Sequence, residues 1–191
     1  MPLNARCDSL GDRTSQNARV SDRSRFEELA AADHELSPEE CGQLARAASE
    51  LVDVSTLERD GEGSATCLWR DEHSEGWLNT WWDERDTGFH DHGGSCVGVY
   101  VLEGSAHAEG LLVGGGRRPV EYGAGESFAL ARTGIHRVTH LPGTVTIHVY
   151  APPLQEIGHY EIADGELQRH AGRADETSPP SPGLLAAIEG D

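Results

Sequence analysis

Two histidines that flank one aspartate are the most chemically suggestive residues of this chain. His90 and His92 stand within the stretch from Gly88 to Cys96, and an apolar run over residues 97–102 follows. On a β-strand, residues i and i+2 point to the same face, about 7 Å apart. Imidazole is the commonest side-chain ligand for transition metals. The pair therefore suits one shared metal ion, although two solvated or hydrogen-bonded loop histidines would fit the same spacing.

A third histidine completes a possible ligand set. His136 lies in the segment from Ile135 to His140, which is predicted to form a strand inside a small barrel. Together with His90 and His92, it would offer three nitrogen ligands and leave coordination positions open, as catalytic metal sites do. Three neutral histidines leave the full dipositive charge on the metal. Such a site favours an anionic, soft ligand such as a thiolate.

A second polar group lies further along the chain. In the segment from Thr144 to Tyr150, the residues Thr146, His148 and Tyr150 alternate with apolar residues and would share one strand face. They are able to form a chain of hydrogen bonds from hydroxyl to imidazole to phenol. The same alternation is also typical of a simple polar strand face.

These residues must be positioned by strands. From about Ala65 onward, short segments of β-forming residues are separated by Gly, Asp, Pro and Ser. A tight hairpin turn is predicted at Gly104, and looser glycine turns at 114–116 and 123–125. Many short strands at this spacing predict an all-β sandwich or barrel. The predicted strands are 66–70, 77–82, 96–102, 105–112, 119–122, 127–130, 135–140, 144–150 and 157–162.

Two helices are predicted before the strands. The first covers residues 25–32, and the second begins at Pro38 with Ser37 as its N-cap and Glu40 three residues after the cap. An apolar stripe continues the second helix to about Val52. The chain thus divides into a disordered arm (1–22), one domain (23–171) and a disordered tail (172–191). The arm is polar and without periodicity, and the tail contains the proline-rich stretch from Ser178 to Gly183.

Composition narrows the range of partners. The 191 residues suffice for one good core, and the formal net charge of −18 opposes binding to nucleic acid or to an anionic membrane. No segment approaches the ~20 apolar residues of a membrane helix, and no secretory signal is visible. Four cysteines are widely spaced and form no CxxC pair, which argues against a disulfide scaffold and fits a cytoplasmic location.

The order of these motifs resembles a known family. HxH, a glycine-ended hairpin, GIHRV and TIHVYAPP follow one another as in the cupin barrel of the cysteine dioxygenase family of thiol dioxygenases, over roughly residues 65–165. The resemblance implies an all-β fold, a cupin double-stranded β-helix (jelly-roll) barrel preceded by two helices. It also implies that His90, His92 and His136 bind Fe(II). Thr146, His148 and Tyr150 match the Ser-His-Tyr triad of the family, with threonine in place of serine.

The resemblance also extends to substrate binding. Arg70 is similar in position to the arginine that binds the substrate carboxylate in the family, and Tyr150 would bind substrate beside it. The segment after Arg70 differs in length from that of the animal enzymes. A surface ion pair with one of the many carboxylates would equally account for Arg70.

One departure from the family concerns a cross-link. The animal enzymes carry a cysteine that is joined to the triad tyrosine, and counting from His92 puts Val97 at that place, not Cys96. Neighbouring residues of a strand face opposite ways, so no thioether is expected between Cys96 and Tyr150. His140 is expected near the site or at the surface, not as a fourth ligand.

The function implied is that of a thiol dioxygenase, which adds both atoms of O2 to the sulfur of a small carboxylate-bearing thiol or thione. The alternatives are a cupin metalloenzyme with a non-thiol substrate and a non-catalytic cupin that binds a small molecule. The sequence does not choose among cysteine, 3-mercaptopropionate, another mercapto acid and a thiohistidine-type thione. The expected partners are therefore the small thiol and O2, and the expected state is a monomer or weak homodimer.

Overall fold

The computed structural model describes residues 23–61, 63–111, 119–163 and 166–173. Within these ranges, two α-helices and a short 3-10 helix precede a series of strands. The helices are α1 (Arg23–Ala30), α2 (Pro38–Ser49) and the 3-10 helix Val54–Thr56. The strands are β1 (Ser64–Arg70), β2 (Glu75–Trp81), β3 (Arg85–Asp86), β4 (Phe89–Asp91), β5 (Cys96–Glu103), β6 (Ser105–Gly110), β7 (Val120–Gly123), β8 (Ser127–Leu130), β9 (His136–His140), β10 (Thr144–Ala151), β11 (Glu156–Ala163) and β12 (Glu166–Arg173).

The strands form two antiparallel sheets. Sheet A has the order β1-β2-β10-β5-β8, and sheet B has the order β12-β11-β4-β9-β6-β7, with β3 paired to β9. Strand β2 pairs with β10, β4 with β9, β5 with β8 and β6 with β7, so the pairs are nested within one another along the chain. Nested pairs divided between two sheets are the arrangement of a jelly roll. The predicted all-β jelly-roll fold with two N-terminal helices is therefore confirmed, although no strand pairing joins the two sheets within the described ranges.

The second helix begins where its capping residues predict. The backbone N–H of Glu40 donates to the Ser37 hydroxyl at 3.3 Å, and the N–H of Ser37 donates to the Glu40 carboxylate at 2.8 Å. This reciprocal pair satisfies two N–H groups that the first turn leaves without helical partners. The helix ends at Ser49, three residues before the predicted end at Val52.

The apolar core lies between the helices and the outer face of sheet A. Buried residues from both helices pack there against alternate residues of the strands in one cluster. Strand β5 approaches α2 very closely at Gly98, where an added Cβ would lie 2.1 Å from the backbone nitrogen of Gly42. A side chain at position 98 would push the helix off the sheet. Neither described α-helix has the length and apolar composition of a membrane-spanning segment.

The main departures from the sequence-based strand assignment are three additional strands. The short strands β3 and β4 and the final strand β12 were not predicted. Strand β12 extends two residues into the segment expected to be a disordered tail, and residues 174–191 lie outside the described ranges, as do residues 1–22 and the glycine turn at 114–116.

Candidate functional site

The two histidines of the HxH motif lie on a short strand and the turn that follows it. His90 is the central residue of β4, and His92 comes one residue after the strand ends. Their side chains are buried, and their ring centroids lie 5.0 Å apart. Gly93 and Gly94 have φ angles of 57° and 95°, which lets the chain turn sharply after His92. The two imidazoles therefore converge in the space between the sheets, as the i and i+2 spacing predicts.

Strand β9 brings in the third histidine. His136 is the Cα partner of His90 where β4 pairs with β9, and the Nε2 atoms of the two rings are 3.1 Å apart. The ring of His136 lies 5.0 Å from that of His92, centroid to centroid. One ligand nitrogen from each of the three histidines lies within 4.8 Å of the others. The three-histidine cluster is thus assembled as the sequence predicts, and it could hold a metal ion.

The three imidazole rings of the cluster are kept neutral, which is the form that binds a metal ion. Burial lowers the pKa of all three rings, and the charge of neighbouring histidines lowers the pKa of His92 and His136 further. The carbonyl of Gly88 accepts from Nδ1 of His90 at 3.0 Å, so this ring presents the lone pair of Nε2 to the cluster. Nδ1 of His92 is buried and lacks a hydrogen-bond partner among the described residues. Neutral rings with free lone pairs are what a divalent transition metal requires.

The aspartate between the two histidines faces the other way and anchors the motif. Asp91 accepts two hydrogen bonds from Arg169 of β12, at 2.7 and 3.0 Å, and one from the Tyr160 hydroxyl at 2.6 Å. These donors hold the pKa of Asp91 well below its ordinary value. Arg169 also pairs with Glu156 at 2.7 Å. No sequence signal singled out Arg169, because it lies on a strand that was not predicted.

The predicted chain from hydroxyl to imidazole to phenol is present on the inner face of β10. Nε2 of His148 lies 3.0 Å from the Thr146 hydroxyl, and Nδ1 of His148 lies 3.1 Å from the Tyr150 hydroxyl. The rings of Tyr150 and His92 form a T-shaped pair, with centroids 5.2 Å apart. The chain therefore leads directly to the three-histidine cluster, and it is more than a polar strand face.

Electrostatics keep the members of this chain neutral. Burial, helped by the charge of His90, lowers the pKa of His148 to about 3. Burial raises the pKa of the Tyr150 phenol, and the negative charge of Glu75 raises it further. At neutral pH, His148 is therefore uncharged and Tyr150 keeps its proton, so the phenol is available as a hydrogen-bond donor.

Arg70 and Tyr150 are both register partners of Glu75, on the strands that flank β2, and the Arg70 guanidinium already has this carboxylate as its partner. Its guanidinium forms an ion pair with Glu75, which is fully buried and is the register partner of Tyr150 across the β2–β10 pair. The backbone N–H of Leu154 also donates to Glu75, at 3.0 Å, and Nη2 of Arg70 donates to the Leu154 carbonyl at 3.3 Å. The ion pair that the sequence offered as an alternative thus exists, but it is buried beside the site and is not at the surface. Glu75 was not predicted as the partner of Arg70, although its position across the β1–β2 turn could have been inferred from the sequence.

The cysteine at the start of β5 faces away from the site. Tyr150 is paired with Val97 in the register of β5 and β10, while Cys96 is paired with Ala151. The Cys96 sulfur lies 3.8 Å from the sulfur of Cys41 on α2, on the side of the helices. This geometry agrees with the prediction that Cys96 forms no thioether with Tyr150.

Two further residues of the interior have roles that the sequence did not specify. His140 is fully buried, and neither of its ring nitrogens has a hydrogen-bond partner among the described residues. Its ring stacks on Trp81, with centroids 3.9 Å apart and an interplanar angle of 3°. The indole N–H of Trp81 in turn donates to the Thr146 hydroxyl at 3.1 Å. His140 is therefore an interior neighbour of the site, and Trp81 extends the hydrogen-bond chain by one residue.

Together, these features define an all-β jelly roll with a candidate metal centre between its sheets. No family model matches the chain, and no curated protein matches it. Solved structures of three proteins illustrate what it is similar to. KdgF from Halomonas sp. is 13% identical over 50% of this chain and 84% of its own, with a TM-score of 0.43. An RmlC-like cupin protein from Desulfovibrio desulfuricans is 16% identical over 53% and 94%, with a TM-score of 0.45. Ectoine synthase from P. lautus is 17% identical over 50% and 68%, with a TM-score of 0.40. Likenesses this distant establish neither a family nor a function.

Proposed function

We propose that this protein is a non-haem Fe(II)-dependent thiol dioxygenase that converts a small thiol into a sulfinate. One observation carries the proposal: the hydrogen-bond chain of Thr146, His148 and Tyr150 ends beside a cluster of three neutral histidines. The three histidines and the triad, in this order along the chain, are the features on which the resemblance to the cysteine dioxygenase family rests.

The metal would be held by His90, His92 and His136. The lone pair on Nε2 of His90 and the unpartnered Nδ1 of His92 fit a divalent transition metal, and the absence of a carboxylate from the set leaves the full charge of the ion for a thiolate. When bound, Fe(II) would supply the redox chemistry that couples a thiolate to dioxygen. The overall reaction balances without another reductant, because one thiol and one O2 give one sulfinate and one proton.

Tyr150 would supply a hydrogen bond at the reacting centre. Its phenol is kept protonated by burial and by Glu75, and its ring is in contact range of His92. The neutral imidazole of His148 orients the hydroxyl, and Thr146 orients the imidazole. The role of the triad is thus to hold one proton at a fixed place next to the substrate.

Arg70 would bind the acidic end of the substrate. A guanidinium has five N–H donors, and the contacts with Glu75 and Leu154 leave further donors for a second carboxylate. Glu75 fixes the orientation of the guanidinium and also reduces the positive charge that a substrate meets. We therefore expect a preference for carboxylate-bearing thiols that is smaller than a free arginine would give.

Oxygen consumption with a panel of thiols tests this function. The iron-loaded protein should consume O2 with cysteine, 3-mercaptopropionate or a related mercapto acid, and mass spectrometry should find a product heavier by two oxygen atoms. Cysteamine, which lacks a carboxylate, should be the poorer substrate, and Arg70→Lys should raise KM by up to about tenfold because it loses the planar fork. Equal use of cysteamine, with an unchanged KM in Arg70→Lys, would exclude Arg70 from substrate binding.

A single-atom change at Tyr150 tests the role of the triad. Tyr150→Phe removes only the hydroxyl, so iron should stay bound while turnover falls by ~10²-fold or less, the size of one positioned acid. The control is Tyr100→Phe, which removes a hydroxyl from a residue that lies opposite Ile147 on the outer face of sheet A and packs against the apolar cluster. Loss of iron from Tyr150→Phe would make the tyrosine a ligand or a structural residue.

A further inference from the structure

We infer that Trp81 is a positioning residue that sets the direction of the hydrogen-bond chain, so that Tyr150 keeps its hydroxyl hydrogen for a group at the three-histidine cluster. The inference rests on the proposed function only for the identity of the group that accepts this hydrogen bond. The direction itself follows from which atoms of the chain are able to donate.

The chain begins at a group that is only a donor. The indole N–H of Trp81 has no acceptor atom, and it lies 3.1 Å from the Thr146 hydroxyl oxygen. Thr146 must therefore accept this hydrogen bond. No rotation of either side chain reverses the direction of this first bond.

Thr146 passes the direction on to His148. A hydroxyl group has one hydrogen to donate, and the Thr146 side chain is fully buried, so leaving that hydrogen without a partner is unfavourable. With the indole donating from one side, the other partner that the structure gives this hydroxyl is Nε2 of His148, at 3.0 Å. Thr146 thus donates to His148, and Nε2 carries the lone pair.

His148 then has one tautomer. A neutral imidazole with its lone pair on Nε2 carries its hydrogen on Nδ1. Nδ1 lies 3.1 Å from the Tyr150 hydroxyl oxygen, so the imidazole donates and the tyrosine accepts. Tyr150 keeps its own hydrogen, and its ring packs against that of His92 of the cluster, with centroids 5.2 Å apart. In the opposite direction, Tyr150 would donate to His148 and would have no hydrogen left for a substrate.

His140 explains how the indole is held. Its ring lies flat on the Trp81 ring, at 3.9 Å between centroids, and is fully buried on β9. The stack fixes the plane of the indole, and the bond to Thr146 fixes its rotation within that plane. His140 lies on β9 of sheet B, which also carries His136, and Thr146 lies on β10 of sheet A, which carries the triad. Trp81 therefore contacts the surroundings of the site in both sheets.

The test removes the indole N–H and keeps an aromatic ring. In full-length protein loaded with zinc, NMR of ¹⁵N-labelled histidine should show His148 protonated on Nδ1, the signal being assigned by its loss in His148→Gln. In Trp81→Phe, this preference should weaken or reverse. With iron and thiol, kcat should fall by about fivefold to tenfold, the size of one hydrogen bond, while KM changes little. Trp82→Phe is the control, since the Trp82 ring instead lies against Arg59, 5.4 Å from its guanidinium carbon.

The hydroxyl of Thr146 gives a second route to the same result. Thr146→Val should remove the Nδ1 preference, and Thr146→Ser should retain it, so the inference stays testable even when Trp81→Phe does not fold. A wild-type His148 protonated on Nε2 would overturn the inference, as would an unchanged tautomer and kcat in Trp81→Phe. If no thiol is oxidised by the wild type, the proposed function fails, yet the tautomer of His148 still decides the direction of the chain.

Discussion

The two faces of strand β10 have opposite chemistry. On one face, Val145, Ile147, Val149 and Ala151 are each 0% exposed and pack in the apolar cluster with the helices. On the other face, Thr146, His148 and Tyr150 form a hydrogen-bond chain that leads to the candidate metal centre. Because side chains alternate along a strand, a shift of one residue in register would exchange the two faces. The same strand therefore stabilises the fold with every second residue and positions the polar chain with the others.

The comparison predicts that inner-face changes remove chemistry and outer-face changes remove stability. The largest expected effect is at the cluster itself. His136→Ala should abolish stoichiometric iron binding and turnover together, because two ligands do not hold the ion in a defined open geometry. Metal analysis after gel filtration and oxygen consumption measure the two losses. His107→Ala is the control, since His107 lies on β6 with its side chain 40% exposed. Full iron and activity in His136→Ala would refute the three-histidine assignment.

The matching change on the outer face should act on stability alone. Ile147→Ala removes buried apolar volume from the cluster below the helices, and it should lower the free energy of unfolding by about 2–5 kcal/mol. Ile147→Val is the graded control, with an expected loss of about 0.5–1.5 kcal/mol. Denaturant unfolding measures both. Iron content and activity of the folded variants should equal those of the wild type; a loss of iron from folded Ile147→Ala would mean that the two faces are coupled.

The inner face should also make stability depend on pH. His148 has its pKa lowered from 6.5 to about 3 by burial, so the unfolded chain binds a proton that the folded chain excludes. Its stabilising contribution is present above pH 6.5 and is lost as the pH falls below that value. At pH 5 the loss is up to about 2 kcal/mol. Unfolding of metal-free wild type and His148→Gln at pH 7.5 and 5 measures it, because the other histidines are common to both proteins. An equal pH dependence in the two proteins would contradict the lowered pKa.

The features that depend on neighbouring residues were predictable from the sequence. The i and i+2 spacing of His90 and His92, the alternation of Thr146, His148 and Tyr150 and the Ser37 cap each depend on neighbouring residues, and each has the expected geometry. Counting from His92 also gave the correct register for Val97.

Features that depend on distant strands were not predictable in the same way. Arg169 contacts Asp91 only because β12 folds back beside β11, and the stack of His140 on Trp81 joins β9 to β2 across the two sheets. The pairing of Arg70 with Glu75 was easier to predict, because the two residues are register partners across one turn. A polar residue buried among apolar neighbours gives no local pattern that reveals its partner.

The smallest expected effect is the absence of a change. Cys96 and Tyr150 lie on opposite faces of sheet A, so the iron-loaded wild type, reduced to exclude disulfides and exposed to O2 and thiol, should show no loss of two hydrogens at these residues. Peptide mapping by mass spectrometry measures this. Val97→Cys is the matched variant, because position 97 is the register partner of Tyr150 and puts a thiol on the inner face. A thioether to Tyr150 is expected only in that variant. A mass loss mapped to Cys96 and Tyr150 in the wild type would require a different register for β5. Cys96, the first residue of that strand, would then lie on the inner face of sheet A, and the two faces would not be separate.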